Sequence, residues 1–203
     1  MRGLLVTFEG IDRSGKTTQA QLLERALGAE ALAVREPGGT EVGERVRDLV
    51  KDARIDAGPR AEALLFAAAR AELVDVVIRP ALEAGRIVIS DRFLDSSLAY
   101  QGSARGLGVE EVERVNRFAT DGLVPDLTFL LELDPAEAAG RAGMLDRFEH
   151  EGLELQRAVA EAYDRLADAA PGRWRRIDGS RASDAVHDEV LAAVEAARSG
   201  ARA

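Results

Sequence analysis

The chain has 203 residues with 27 lysines and arginines against 36 aspartates and glutamates, a net charge of -9, and no cysteine. Its length suits one well-filled core, expected as a single domain over 1–203. The acidic balance argues against a nucleic-acid partner, which needs a broad cationic face, and the missing thiols exclude disulfides, thiolate metal sites and thiol catalysis.

The first apolar run, 4–9, reads as a strand. It is too short, and too promptly interrupted by Glu9, to be a signal peptide or a membrane span, so a cytoplasmic protein with no membrane partner is expected. Gly10-Ile11-Asp12-Arg13-Ser14-Gly15-Lys16-Thr17 follows directly and runs into a helical pattern over 16–27. Strand, glycine loop and helix are the context in which G-x-x-x-x-G-K-[ST] forms a phosphate-binding loop. The glycines let successive N–H groups turn inward, and the helix adds its unpaired amides and positive end. Lys16 can reach the β and γ phosphates, the Thr17 hydroxyl can ligate the Mg²⁺ that travels with a nucleoside triphosphate, and Thr18 continues the same turn.

A second strand, 31–35, ends in Arg35-Glu36-Pro37-Gly38-Gly39-Thr40, with Thr40 as the cap of a helix over 41–51 that carries Glu44, Arg45 and Arg47. A helix over 61–82 sets Phe66 and Arg70 four apart, on one face. That spacing suits a core phenylalanine beside a surface arginine. It also suits a planar ligand stacked on Phe66 while Arg70 donates to the ligand's edge. The third strand, 86–90, delivers Asp91 and Arg92 at its carboxyl end, an arrangement that holds Mg²⁺ or its waters and neutralises a phosphoryl group. Beyond it, 93–106 is dense in short hydroxyls, with Ser96, Ser97, Tyr100 and Gln101.

Further patterns are helices over 109–120, 153–169 and 183–198, strands over 127–133 and 174–178, a glycine-flanked lid over 137–149, and a tail, 196–203, expected to fray. Strands alternating with helices predict an α/β fold, a five-stranded parallel sheet covered on both faces, with ligands beyond the strands' carboxyl ends. A guanine-reading Asn-Lys-x-Asp is missing, since the single asparagine, Asn116, precedes Arg117.

Gly10 to Thr17 with Asp12-Arg13, Arg35 to Thr40, Leu65-Phe66-Ala67-Ala68-Ala69-Arg70, and Asp91-Arg92-Phe93 through Ala99-Tyr100-Gln101-Gly102 resemble the thymidylate kinase family of P-loop nucleoside monophosphate kinases. The resemblance runs in order from about 4 to 178. It implies transfer of the γ-phosphoryl group from MgATP to dTMP, with another nucleoside monophosphate or deoxynucleoside kinase, or a silent relative, as alternatives. It implies that Phe66 stacks on thymine, Arg70 donates to O4, and Gln101 reads N3 with help from Ser96 or Ser97. It implies that Tyr100 crowds the sugar 2′ position, Asp12 accepts from the 3′-hydroxyl, and Arg47 and Arg92 hold the acceptor phosphate. Glu36 would orient an arginine or a magnesium water. Thr17 and Asp91 are the expected metal ligands. Arg13 is expected to contribute most to the transition state, with the lid residues Arg141 and Arg147 fastening ATP. A homodimer is also implied; the alanine-rich 61–78 helix suits a close-packed interface and equally a buried position.

Overall fold

The computed structural model describes residues 2–52, 54–141 and 152–200. Five parallel strands, β1 (Leu5–Glu9), β2 (Ala31–Arg35), β3 (Ile87–Asp91), β4 (Leu127–Glu132) and β5 (Trp174–Asp178), form one sheet in the order β2-β3-β1-β4-β5. β1 lies at its centre and is buried along its whole length, which is why it reads as an apolar run rather than an alternating one. Its two faces serve two cores. Val6 and Phe8 point with Phe129 and Leu131 toward α1 (Lys16–Leu27) and α9 (Ser183–Gly200), where Leu23, Val190 and Val194 close the layer. Phe8 stacks on Phe129 with ring centroids 5.3 Å apart. Leu5 and Val88 point the other way, against Leu73, Ile78, Phe93 and Val112.

α2 (Glu41–Lys51) begins at the expected cap: Thr40 Oγ1 accepts from Gly43 N at 2.9 Å. The helix expected unbroken over 61–82 is instead α3 (Pro59–Leu73), a widened turn (Val74–Ile78) and α4 (Arg79–Glu83). Pro80 has no N–H to continue the ladder, and the backbone widens ahead of it so that Arg79 N–H reaches Val74 O, five residues back. A second widened turn, Leu98–Ala104, follows the short α5 (Leu94–Ser97), in the stretch whose hydroxyls stood out without an assigned element. There α6 (Val109–Ala119) crosses so closely that a Cβ on Gly102 would lie 3.1 Å from Val109 Cα. α7 (Pro135–Gly140) opens the lid region and α8 (Gly152–Ala169) follows it. The remainder of the expected lid, with Arg147, lies outside the described residues.

Of the tail expected to fray, 196–200 are helical and 201–203 lie outside the described residues. α9 stays helical through Gly200 because Ala197 packs on the core beside α1 and Arg198 pairs with Glu30.

One ion pair anchors the site's base. Asp95, fully buried in α5, takes two bonds from Arg173 at 2.7 and 2.8 Å, and Arg173 also donates to Thr128 Oγ1 at 2.7 Å. Removing one partner of a buried pair strands the other, so Asp95→Ala should lower unfolding stability by about 3 kcal/mol, read as a shift of the urea midpoint at unchanged slope.

Candidate active site

The chain leaves β1 and β3 side by side, with Phe8 in register with Asp91. Two loops therefore meet above neighbouring strand ends. In the first, Gly10 (φ 137°), Arg13 (φ 62°) and Gly15 (φ 102°) take left-handed geometry, and a Cβ on Gly10 would stand 2.7 Å from Leu131 O. The tight curl brings Lys16 back over the loop, where Nζ donates to Ile11 O at 2.6 Å, Gly10 O at 3.1 Å and Ser14 Oγ at 3.4 Å. Burial, reinforced by the charge of Arg92, pushes the Lys16 ammonium down to about 8. Thr17 Oγ1 donates to Asp91 Oδ2 at 2.5 Å, placing two hard oxygens together. Thr18 is exposed on the first turn of α1.

In the second loop, Arg92 holds a left-handed φ of 70°. Its guanidinium donates to Gly10 O (3.2 Å), Ser96 Oγ (3.1 Å), Tyr163 OH (3.4 Å), Tyr100 OH (3.3 Å) and Asp12 Oδ1, and it lies over the Tyr100 ring. Burial pushes the Asp12 carboxyl up, but Arg92 and Lys16 outweigh it and leave the group below its ordinary value. Gln156 clasps Asp12 from α8, accepting from its N–H at 3.1 Å and donating to Oδ2 at 2.8 Å. Beneath Arg92, the fully buried Glu9 accepts from Phe93 N (2.8 Å), Ser96 Oγ (2.6 Å) and Tyr163 OH (2.8 Å). Burial and then Asp95 push its carboxyl up to about 7.

Farther along, Arg70 is only 1% exposed while Phe66 is half-buried. The reading with a core phenylalanine and a surface arginine is thus reversed, because Arg70 finds partners inside. It donates to Glu36 Oε2 (2.7 Å), Ser97 Oγ (3.0 Å), Phe93 O (3.2 Å) and Asn116 Oδ1. Burial raises the Glu36 carboxyl, opposed by Arg70. Glu36 is thus paired with Arg70 through Oε2, while its Oε1 accepts no bond among the described residues. Arg47 donates to Pro37 O at 2.9 Å, and Gln101 Nε2 to Glu62 Oε1 at 2.9 Å.

One cavity of about 320 Å³ runs from the phosphate loop to this inner end. Asp12, Arg13, Lys16, Thr17, Glu36, Arg47, Phe66, Arg70, Asp91, Arg92, Ser96, Ser97, Tyr100 and Gln101 all line it. Gly10 and Ile11 face a second hollow on the other side of the loop. Arg141 lies outside the first cavity: its Nη1 donates to Arg13 O at 3.3 Å and its Nη2 to Gly179 O at 2.9 Å, while Arg13 Nη1 returns a bond to Arg141 O at 3.0 Å. Glu9, Glu62, Asn116, Gln156 and Tyr163 escaped the sequence reading. An acid in an otherwise apolar strand marked Glu9, and an asparagine on a buried helix face marked Asn116. Contacts spanning 144 or 154 residues left no local trace of Gln156 or Tyr163.

A phosphate loop after the central strand of such a sheet, opening into an arginine-lined cavity, defines a P-loop phosphotransferase. The family model described as Thymidylate kinase matches residues 8–190. The chain is 48% identical to the thymidylate kinase of Caldanaerobacter subterraneus subsp. tengcongensis, with 100% of each chain covered. It is 49% identical to that of Pelotomaculum thermopropionicum, over 96% of this chain and 94% of the relative. The crystal structure of thymidylate kinase from Ehrlichia chaffeensis matches with a TM-score of 0.79 at 33% identity, over 96% of this chain and 99% of that one. This chain belongs to the thymidylate kinase family.

Because its value sits near 8, Lys16 is charged below that pH and neutral above it. Lys16→Met should bind inorganic tripolyphosphate weakly, with only the pH dependence of the ligand's own last ionisation, and measured against that variant the unaltered protein should lose affinity as pH rises from 7 to 9; calorimetric titration at each pH checks both.

Proposed function

We propose that the protein transfers the γ-phosphoryl group of MgATP to dTMP, giving ADP and dTDP on the route to dTTP. The observation that carries this is the single cavity joining the phosphate loop to the inner group of Phe66, Arg70 and Gln101. The triphosphate lies in the Gly10–Thr17 loop against inward N–H groups and Lys16. Thymine lies on Phe66, with O4 toward Arg70 and N3 toward Gln101. A donor array at O4 disfavours cytosine, whose amino group would meet it donor to donor. Tyr100 crowds the 2′ position, Asp12 takes the 3′-hydroxyl, and Arg92 and Arg47 hold the acceptor phosphate.

The acceptor oxygen needs no separate base, since a phosphate monoester is largely dianionic at neutral pH, with a second pKa of about 6. Catalysis is then alignment and charge neutralisation. Lys16 folds over the γ-phosphate, Arg92 sits under the acceptor, and Arg13 stands at the loop's outer edge. The oxygens of Thr17 and Asp91 suit Mg²⁺ and would hold it; bound there, it would offset negative charge on the triphosphate. Arg141 fastens ATP from the start of the lid.

Among the described residues, no helix is long and apolar enough to cross a membrane, and we place the reaction in the cytoplasm. The outward stripe of α3, with Ala61, Leu64 and Ala68 exposed, continues to Val76, and Phe118 of the adjoining α6 is 91% exposed. An apolar face of small and branched residues supports a homodimer through α3 and α6.

Steady-state transfer from MgATP to dTMP, dUMP, dCMP, dGMP and thymidine, coupled to ADP release, tests this reading. Strong turnover with dTMP and little with dCMP or dGMP is expected; preference for another acceptor would overturn the base-reading roles. In the same assay Arg13→Ala should lose roughly a thousandfold in kcat, whereas Arg141→Ala should chiefly raise the KM for ATP. The opposite pattern would move the transition-state role to Arg141.

A further inference from the structure

Gln101 sits at the inner end of the cavity, 3% exposed, on the widened turn Leu98–Ala104. A primary amide has one accepting and one donating end of nearly the same shape, and nothing in the glutamine decides which end faces the cavity. Its neighbour decides. Gln101 Nε2 donates to Glu62 Oε1 at 2.9 Å, and Glu62 is completely buried in the first turn of α3, where helix amides favour a carboxylate. Arg105 closes on the same group, Nε to Oε1 at 3.2 Å and Nη2 to Oε2 at 3.3 Å. A carboxylate clasped by a guanidinium only accepts, so reversing Gln101 would set its carbonyl oxygen against a carboxylate oxygen. The Oε1 end takes no donor among the described residues, and the side chain lines the cavity.

We propose that Glu62, backed by Arg105, is a specificity-determining positioning residue: it locks Gln101 with Oε1 toward the ligand, so that the site selects pyrimidines whose N3 carries a proton. This rests on the reading of the cavity as the dTMP site. Thymine and uracil present N3–H to that oxygen. Cytosine presents a bare N3 lone pair, so that two acceptors then face each other. Arg70 is fixed separately by Glu36, Ser97, Asn116 and Phe93 O, so the C4 substituent and N3 are read by two independently held groups.

The test compares dTMP and dCMP on the intact enzyme carrying Glu62→Gln, whose amide can turn to let Gln101 reverse. The expected result is a dTMP-to-dCMP ratio of kcat/KM lowered about tenfold, through a higher KM for dTMP at nearly unchanged kcat. Glu62→Asp, which keeps an acceptor, should hold the ratio within about twofold. In a Gln101→Leu background, Glu62→Gln should change the ratio no further. An unchanged ratio in Glu62→Gln, or an equal fall in the Gln101→Leu background, would overturn the proposal. If Glu62→Gln does not fold, the side-chain amide protons of Gln101 decide by NMR on the unaltered protein: protection before and after dTMP is added supports the lock, and free exchange without dTMP overturns it. Failure of the unaltered enzyme to use dTMP would instead overturn the dTMP reading and leave the amide result standing.

Discussion

The guanidinium of Arg92 is the point on which the site's parts converge. It bonds the carbonyl of Gly10 at the end of β1, Asp12 in the phosphate loop, Ser96 in α5, Tyr100 in the widened turn and Tyr163 in α8. A half-buried cation with five bonds depends on its partners being present together, and displacing one weakens the hold on the others. The left-handed φ of Arg92 is held by a separate pair of bonds, since its N–H donates to Phe8 O at 3.0 Å and Ser90 Oγ donates to its carbonyl at 2.6 Å. Three stretches of the chain, the phosphate loop, the segment 92–100 and α8, are thus fixed about one charge beside the cavity.

Arg70 repeats this arrangement at the inner end with Glu36 as its acid, so the cavity lies between two paired arginines of different duty. Planar forks suit both posts, because each must meet several acceptors at fixed angles. Lys16 has the opposite assignment. Its compact ammonium rests on loop carbonyls and can be redirected to phosphate. The chain has only two lysines, and the other, Lys51, also lines the cavity.

The strand order could not be read from the sequence, but the five strands and their parallel class could: β1, β3 and β4, buried on both faces, appear as apolar runs, and all five strands alternate with helical patterns. The phosphate loop and Asp91-Arg92 were legible because each is contiguous and local. The widened turns were not, since one answers to Pro80 lacking a donor and the other to α6 crossing at Gly102. Spacing placed Phe66 and Arg70 on one face yet left open which of them is buried; that depended on Glu36 and Asn116, residues 34 and 46 positions from Arg70. Glu62 is a charge at the start of an alanine-rich helix by sequence alone. Its meaning appears only when α3 packs against the turn that carries Gln101 and leads into Arg105.

In the proposed complex the cavity holds a thymine nucleotide with its base away from the phosphate loop and its phosphate turned toward it. A crystal structure of the protein with dTMP measures that directly. Thymine is expected on Phe66, with N3 within hydrogen-bond distance of Gln101 Oε1 and the phosphate beside Arg92 and Arg47. A nucleotide lying in the reverse sense, or with its phosphate inside the Gly10–Thr17 loop and its base clear of Phe66, would contradict it.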